Sequence, residues 1–341
     1  MFLRLLSLLA ILIFGVAVNA NAAPLEKRLK RLVTQGCVWV AEGTQPVFQY
    51  PKGCNDLLAP ASLLKLATTS LAIRTLGLEH RFKTEFWLTS GRELGIRGFG
   101  DPLLISEVWP GIAQALAARP ELPRTLNRIV LDTSAFDSKL RIPGIENSLN
   151  PYDARIGALV TNFNTIYVHV AKNGAVTSAE PQTPLIPLVL QLAHGLEPGK
   201  HRINFSRQPE HVLPYFAGLA RAFLEREGFT FKSEQISMRK LSFEDRRLLV
   251  FRNPNTLAEI LPGMLLYSNN FTTNQLLLAA GVARSGHPAT LEKGLVALRH
   301  HLISSRTSLV AVDVSRTRSI QEPLYSQQIA NNLPKGWDPK A

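Results

Sequence analysis

Pro60 and Gly77 bracket the stretch that most constrains how this chain folds. Proline fits a first helical turn, where its missing N–H sacrifices no hydrogen bond, and glycine suits the residue just past a last turn. Between them Ala61–Leu76 is rich in Leu and Ala, which favour helix. Ser62 and Lys65 stand three apart, so a helix here puts both side chains on one face, a single turn from each other. A serine hydroxyl becomes a nucleophile when a neighbouring base takes its proton, and a lysine shielded from water loses its charge and becomes such a base. That spacing is common on solvated helix faces, but the setting is not. Pro60-Ala61-Ser62-Leu63-Leu64-Lys65-Leu66 is apolar on both sides of the pair.

The chain of 341 residues is 45% hydrophobic and 19% charged, which excludes disordered, collagen-like and coiled-coil classes. Its length predicts two or three domains, or one domain with a long insertion. A net charge of +12 gives a basic surface suited to nucleic acid, acidic lipid or acidic cell-wall glycans. The first residues choose among these. Arg4, the apolar run Leu5–Val18 and the small residues Ala20-Asn21-Ala22 read as a secretory signal peptide, 1–22, cleaved after Ala22. The run is too short to span a bilayer. The expectation is an exported, periplasmic protein of the cell envelope, with no nucleic-acid partner and at most peripheral membrane contact.

Two cysteines occur, Cys37 and Cys54. Cys37–Ala41 and Val47–Tyr50 read as strands of a hairpin turning through Glu42-Gly43-Thr44, which brings both cysteines to one end. In an oxidising compartment a disulfide is one reading, and two separate buried thiols are the other. Past Gly77 the texture changes to short β-like runs, Phe82–Leu88, Leu94–Phe99, Arg128–Leu131 and Ile166–Val170, with a helical segment near Ile105–Ala118. Pro181, Pro184 and Pro187 punctuate a linker. Helical periodicity returns at Val212–Glu227, Leu257–Leu266, Thr272–Ala280 and Thr290–Leu302.

Far downstream stands Tyr267-Ser268-Asn269-Asn270, with a hydroxyl and an amide on a loop before a helix. Ser-x-x-Lys followed by Ser-x-Asn resembles the paired motifs of the penicillin-binding proteins with D-alanyl-D-alanine carboxypeptidase activity, specifically the low-molecular-mass group with a large insertion, peptidase family S13. Further stretches agree: Gly98-Phe-Gly-Asp-Pro-Leu103, Leu131-Asp-Thr-Ser-Ala-Phe136, Tyr152-Asp-Ala154 with Asn162-Phe-Asn164, and Leu257-Ala-Glu-Ile-Leu261. Between Lys65 and Ser268 lie 202 residues, room for an inserted domain. The resemblance implies an α/β fold. It comprises a β-lactamase/transpeptidase-like domain (N-terminal hairpin plus helical part, 23–86 and 246–341) and an inserted mixed α/β domain, 87–245. It implies that Ser62 forms an acyl-enzyme, Lys65 accepts its proton, Ser268 relays a proton to the leaving amine and Asn270 holds the substrate amide. Asp132, Phe136 and Arg316 fall where the family pockets a diaminopimelate side chain. Peptidoglycan peptides are the implied substrate and β-lactams the implied acylating inhibitors, with no cofactor.

The sequence also departs from that pattern. No Lys-Thr-Gly or Lys-Ser-Gly occurs, and 71 residues follow Asn270 where the family places that strand roughly a hundred residues on. Arg284-Ser285-Gly286 reads as a loop. The expectation is a fold whose last catalytic strands are missing, and the alternative function is a catalytically impaired peptidoglycan-binding paralogue or a truncated family member. The eight histidines show no metal-ligand spacing, and His300-His301 read as surface or capping residues. No Gly-x-Ser-x-Gly elbow is present.

Overall fold

The computed structural model describes residues 25–305 except 35, 44, 55–59, 146, 147, 150 and 206. The expected signal peptide and Arg316 lie outside the described residues. Residues 25–32 form helix α1. The hairpin follows as β1 (Val38–Glu42) and β2 (Gln45–Tyr50), antiparallel with a bulge between Val40 and Ala41. Cys37 and Cys54 are joined in a disulfide, with Cα atoms 6.0 Å apart. The Pro60–Gly77 segment is helical throughout: a 3₁₀ turn, Ala61–Leu63, runs into α2 (Leu64–Leu76), which Gly77 ends in a left-handed conformation.

The stretch from 83 to 252 begins with an antiparallel pair, β3 (Lys83–Leu88) and β4 (Leu94–Gly98), then α3 (Trp109–Ala117), β5 (Thr125–Leu126) and β6 (Ile129–Asp132). It continues with β7 (Thr165–Val170), β8 (Val176–Ser178), α4 (Pro187–Ala193), β9 (Gly199–Asn204) and α5 (Val212–Arg226). It ends with β10 (Thr230–Phe231), β11 (Ser237–Met238) and β12 (Arg246–Arg252). A five-stranded mixed sheet has the order β11-β6-β4-β3-β12, and β8-β7-β9 form a second sheet. β3 and β12 are hydrogen-bonded neighbours, so the chain leaves and re-enters the helical part side by side. The expected boundary at 86/87 therefore falls inside β3, and the one at 245/246 falls at the start of β12.

Three helices complete the described residues: α6 (Leu257–Leu266), α7 (Asn270–Ser285) and α8 (Leu291–Ser304). The expected Arg284-Ser285-Gly286 loop is instead the last turn of α7 and its Gly286 cap, because the apolar face of α7 continues through Ala280 and Val282. His301 is also placed differently from expectation. It lies one turn beyond Ala297 and Leu298 on the face of α8 that packs against α2, and Ser70 Oγ lies 2.9 Å from its Nε2. His300 is exposed.

Each layer has an apolar reason to form. Phe86, Leu94, Ile96 and Leu131 line one sheet face and pack on Trp109, Ile112, Phe216 and Phe223 of α3 and α5. Ala67 and Leu71 of α2 meet Leu277, Ala280 and Leu298 of α7 and α8. Phe82 and Leu103, at the sheet's end, join Leu257, Leu261 and Leu276, tying sheet to helices. Helices α7 and α8 cross where a Cβ on Gly281 would lie 2.6 Å from Gly294 N, so no larger residue fits that crossing without separating them.

Candidate active site

Ser62 sits in the exposed 3₁₀ turn, and Lys65 sits on the first turn of α2 with 7% of its surface exposed. Lys65 Nζ donates to Ser62 Oγ at 3.3 Å. On the other side Ser62 Oγ lies 2.8 Å from Ser268 Oγ, 206 residues away in sequence. A lysine amine, a serine hydroxyl and a second serine hydroxyl thus form one continuous chain. Burial strips water from the Lys65 ammonium and pushes its pKa below the ordinary lysine value.

Local backbone explains how Ser268 arrives there. It connects α6 to α7 in the left-handed region, with φ 49°, a strained conformation for a non-glycine residue. Asn269 then caps α7, its Oδ1 accepting from Thr272 N at 2.9 Å. Asn270 is the first helical residue. It lines a cleft of about 220 Å³ that also holds Ser62, Lys65, Thr68 and, one turn further along α7, Thr273 and Asn274. Pro143, Gly144, Ile145 and Tyr152, from the segment between β6 and β7, form the facing wall. All four residues expected to carry the chemistry are therefore assembled at one place. Thr273 and Asn274 were absent from the sequence-derived set, although their i+3 and i+4 spacing from Asn270 announces the shared face.

Asn162-Phe-Asn164 acquires a reason. All three residues are left-handed (φ 47°, 56° and 50°), a conformation asparagine tolerates better than most residues. Asn162 accepts from Ser106 N at 2.8 Å and donates to Tyr215 Oη at 3.2 Å, while Asn164 donates to Arg155 O at 2.7 Å. These bonds hold the turn against a second cleft, of about 750 Å³, which Ser268 and Asn270 also line.

Asp132 and Phe136 lie elsewhere. Asp132 is buried, accepting from Leu241 N at 2.9 Å and Ser134 N at 2.8 Å with Arg97 Nε at 3.4 Å, and it lines neither cleft. Phe136 is 8% exposed. Its ring covers Gly100, where a Cβ would come within 2.4 Å of it, which accounts for glycine in the Gly98-x-Gly100 pattern. It lines a separate cavity of about 460 Å³ with Arg141 and Arg155. Among the described residues no cluster of His, Cys, Asp and Glu could hold a metal ion, and no helix is long and apolar enough to cross a membrane.

Two solved structures share this fold. Penicillin binding protein 4 from Haemophilus influenzae aligns with a TM-score of 0.68 at 16% identity, covering 90% of this chain and 77% of that one. The same protein complexed with a β-lactam aligns with a TM-score of 0.59 at 16% identity, covering 88% and 73%. The mixed α/β architecture is thus the transpeptidase/β-lactamase-like one. Comparison with curated proteins finds no match. The model of the D-Ala-D-Ala carboxypeptidase 3 (S13) family matches residues 21–194, a span that contains Ser62 and Lys65 and stops before Ser268. That match extends over half of the chain, and the fold supplies the second serine the match does not reach: the chain belongs to the S13 family of D-Ala-D-Ala carboxypeptidases.

Proposed function

We propose that this protein is a serine-type D-alanyl-D-alanine carboxypeptidase/endopeptidase acting on peptidoglycan stem peptides through an acyl-enzyme at Ser62. The observation that carries the reading is the Lys65–Ser62–Ser268 chain, with spacings of 3.3 and 2.8 Å, built from opposite ends of the sequence. In its neutral form Lys65 takes the Ser62 proton while Oγ attacks the carbonyl of the penultimate D-alanine. The C–N bond breaks as Ser268 hands a proton to the departing amine, itself resupplied from Lys65. Water then cleaves the ester. Asn270, at the cleft wall, holds the substrate amide, and the Ser62 backbone N–H serves as an oxyanion donor. Lys65 fits a base because its burial favours the uncharged amine.

The same reading makes β-lactams acylating inhibitors and sends the protein through export to the periplasm. Its inserted unit runs from β3 through β12, since those strands pair. Release of D-alanine from a stem pentapeptide tests the proposal. Release by the native chain and its loss in Ser62→Ala are expected. No release by folded protein favours the peptidoglycan-binding paralogue.

A further inference from the structure

One face of the five-stranded sheet packs on α3 and α5. On the other face, register sets charged residues side by side across the strands. Arg252 of β12 stands opposite Lys83 of β3, Glu85 stands between Val250 and Arg97, and Arg97 stands opposite Asp132. The segment between β11 and β12 covers one end of this face. There Leu241 N donates to Asp132 Oδ2 at 2.9 Å, and a Cβ on Gly95 would meet the Leu241 side chain at 2.7 Å. The β3–β12 end stays open, with Arg247, Val250 and Arg252 all exposed.

Depth divides the charges by sign. The Glu85 and Asp132 side chains are 5% and 0% exposed, whereas those of Lys83, Arg97 and Arg247 are 37%, 24% and 54% exposed. Lys83 Nζ donates to Glu85 Oε1 at 2.9 Å, and Arg247 Nη1 lies 3.9 Å from the same oxygen. Rings hold the cations as well: Lys83 Nζ lies 4.1 Å from the centre of Phe99, and the Arg247 guanidinium lies 5.6 Å from that of Trp87. Carboxylates thus sit beneath and cations above, so water meets a positive surface. Like charges directly opposite each other in a ladder cost stability, and Lys83 and Arg252 are such a pair. An anion laid across them removes that repulsion. Four cations spread over an open sheet suit several carboxylates at once, which a polymer offers and a single small anion does not.

We infer that this sheet face is a second docking surface for polymeric peptidoglycan, on which Lys83, Arg97, Arg247 and Arg252 hold carboxylates of stem peptides that are not being cleaved. The inference rests on the peptidoglycan reading and extends it, since none of the four residues lines the catalytic cleft. That reading is also why the polymer is named here and not an acidic protein: the same chain carries the cleft for its peptides. Phe82, next to Lys83, packs in one core with Leu276 of α7, so the surface and Asn270 stand in a fixed relation. Holding the polymer at a second place raises the concentration of its stem peptides at Ser62 without any new contact there.

Binding to whole sacculi tests the inference. The Ser62→Ala protein, which forms no acyl-enzyme, is sedimented with purified sacculi and with sacculi whose carboxyl groups have been converted to amides. Binding to native sacculi is expected to be about tenfold tighter than to amidated ones and to weaken with added salt. Arg247→Glu combined with Arg252→Glu is expected to remove most of that difference. Arg252→Glu alone places a carboxylate opposite Lys83, which supports the fold; it is expected to reduce the difference and serves if the double variant does not fold. Equal binding to the two kinds of sacculi, or a difference that survives these substitutions, would overturn the inference. In the Ser62-containing chain the same substitutions should leave D-alanine release from a soluble stem pentapeptide unchanged. Failure of that release in the unsubstituted chain removes the acyl-enzyme reading, whereas release without charge-dependent sacculus binding removes only this surface.

Discussion

Lys65 links the electrostatics of the cleft to its rate. Desolvation lowers its pKa, and acylation needs the uncharged amine, so the rate of acylation by a β-lactam should rise with pH and level off below the range of an ordinary lysine. Lys65→Arg should remove the plateau and lower the rate at neutral pH by about 10²-fold or more, since a guanidinium does not deprotonate. Stopped-flow acylation across pH measures both. Ser62, Lys65, Ser268 and Asn270 were legible in the sequence because their chemistry resides in residue type and short spacing. Lys83 and Arg252 were not, because nothing along the chain announces which charged residues of two distant strands will stand opposite each other. Asp132 shows the converse. The motif around it is legible, but its carboxylate is engaged by Leu241 and Ser134 backbone groups that only the fold brings near.

At the scale of elements, the junction of sheet and helices is polar as well as apolar. Asp101, just past β4, is 3% exposed and accepts from Asn253 Nδ2 at 2.8 Å and Leu103 N at 2.9 Å. Burial raises its carboxyl to about 6, against these two bonds, which oppose the shift. Between about 4 and about 6 the folded chain therefore holds a proton that the unfolded chain has released. Stability is greatest below the unfolded value and declines as pH rises through the folded one, by about 3 kcal/mol at most. Chemical denaturation across this window should show the decline, and Asp101→Asn should flatten it. The α7–α8 crossing gives a second prediction. Gly281→Ala forces the helices apart at Gly294 and should cost about 1–3 kcal/mol, read as a lower unfolding midpoint. Because α7 carries Asn270, acylation should slow as well. The helices were legible from their periodicity and caps, α6 to the residue. The β3–β12 pairing was not, because its partners lie on either side of the whole insertion.

Over the whole molecule, the five-stranded sheet and helices α6 and α7 are joined by continuous core, whereas β1 and β2 pair only with each other among the described residues. A two-stranded ribbon is marginal in water, so the Cys37–Cys54 bond is the hairpin's main restraint. Closing a loop of this size contributes about 3 kcal/mol in the chain-entropy model. Reduction should therefore speed hydrogen exchange in 38–50 by about 100-fold while exchange in α2 and α7 stays slow. The room for a large segment between the two motifs was legible from the 202 residues that separate them. How it closes over Ser62 was not, since residues 143–145 and Tyr152 reach the cleft through tertiary packing alone. Every catalytic role proposed for Lys65, Ser268 and Asn270 depends on Ser62 being the nucleophile that Lys65 activates. Intact-mass and peptide-mapping spectrometry of the folded protein after incubation with benzylpenicillin tests this directly. A single penicilloyl adduct on the peptide containing Ser62, absent in Ser62→Ala, is predicted; an unmodified protein, or an adduct on any other residue, would contradict it.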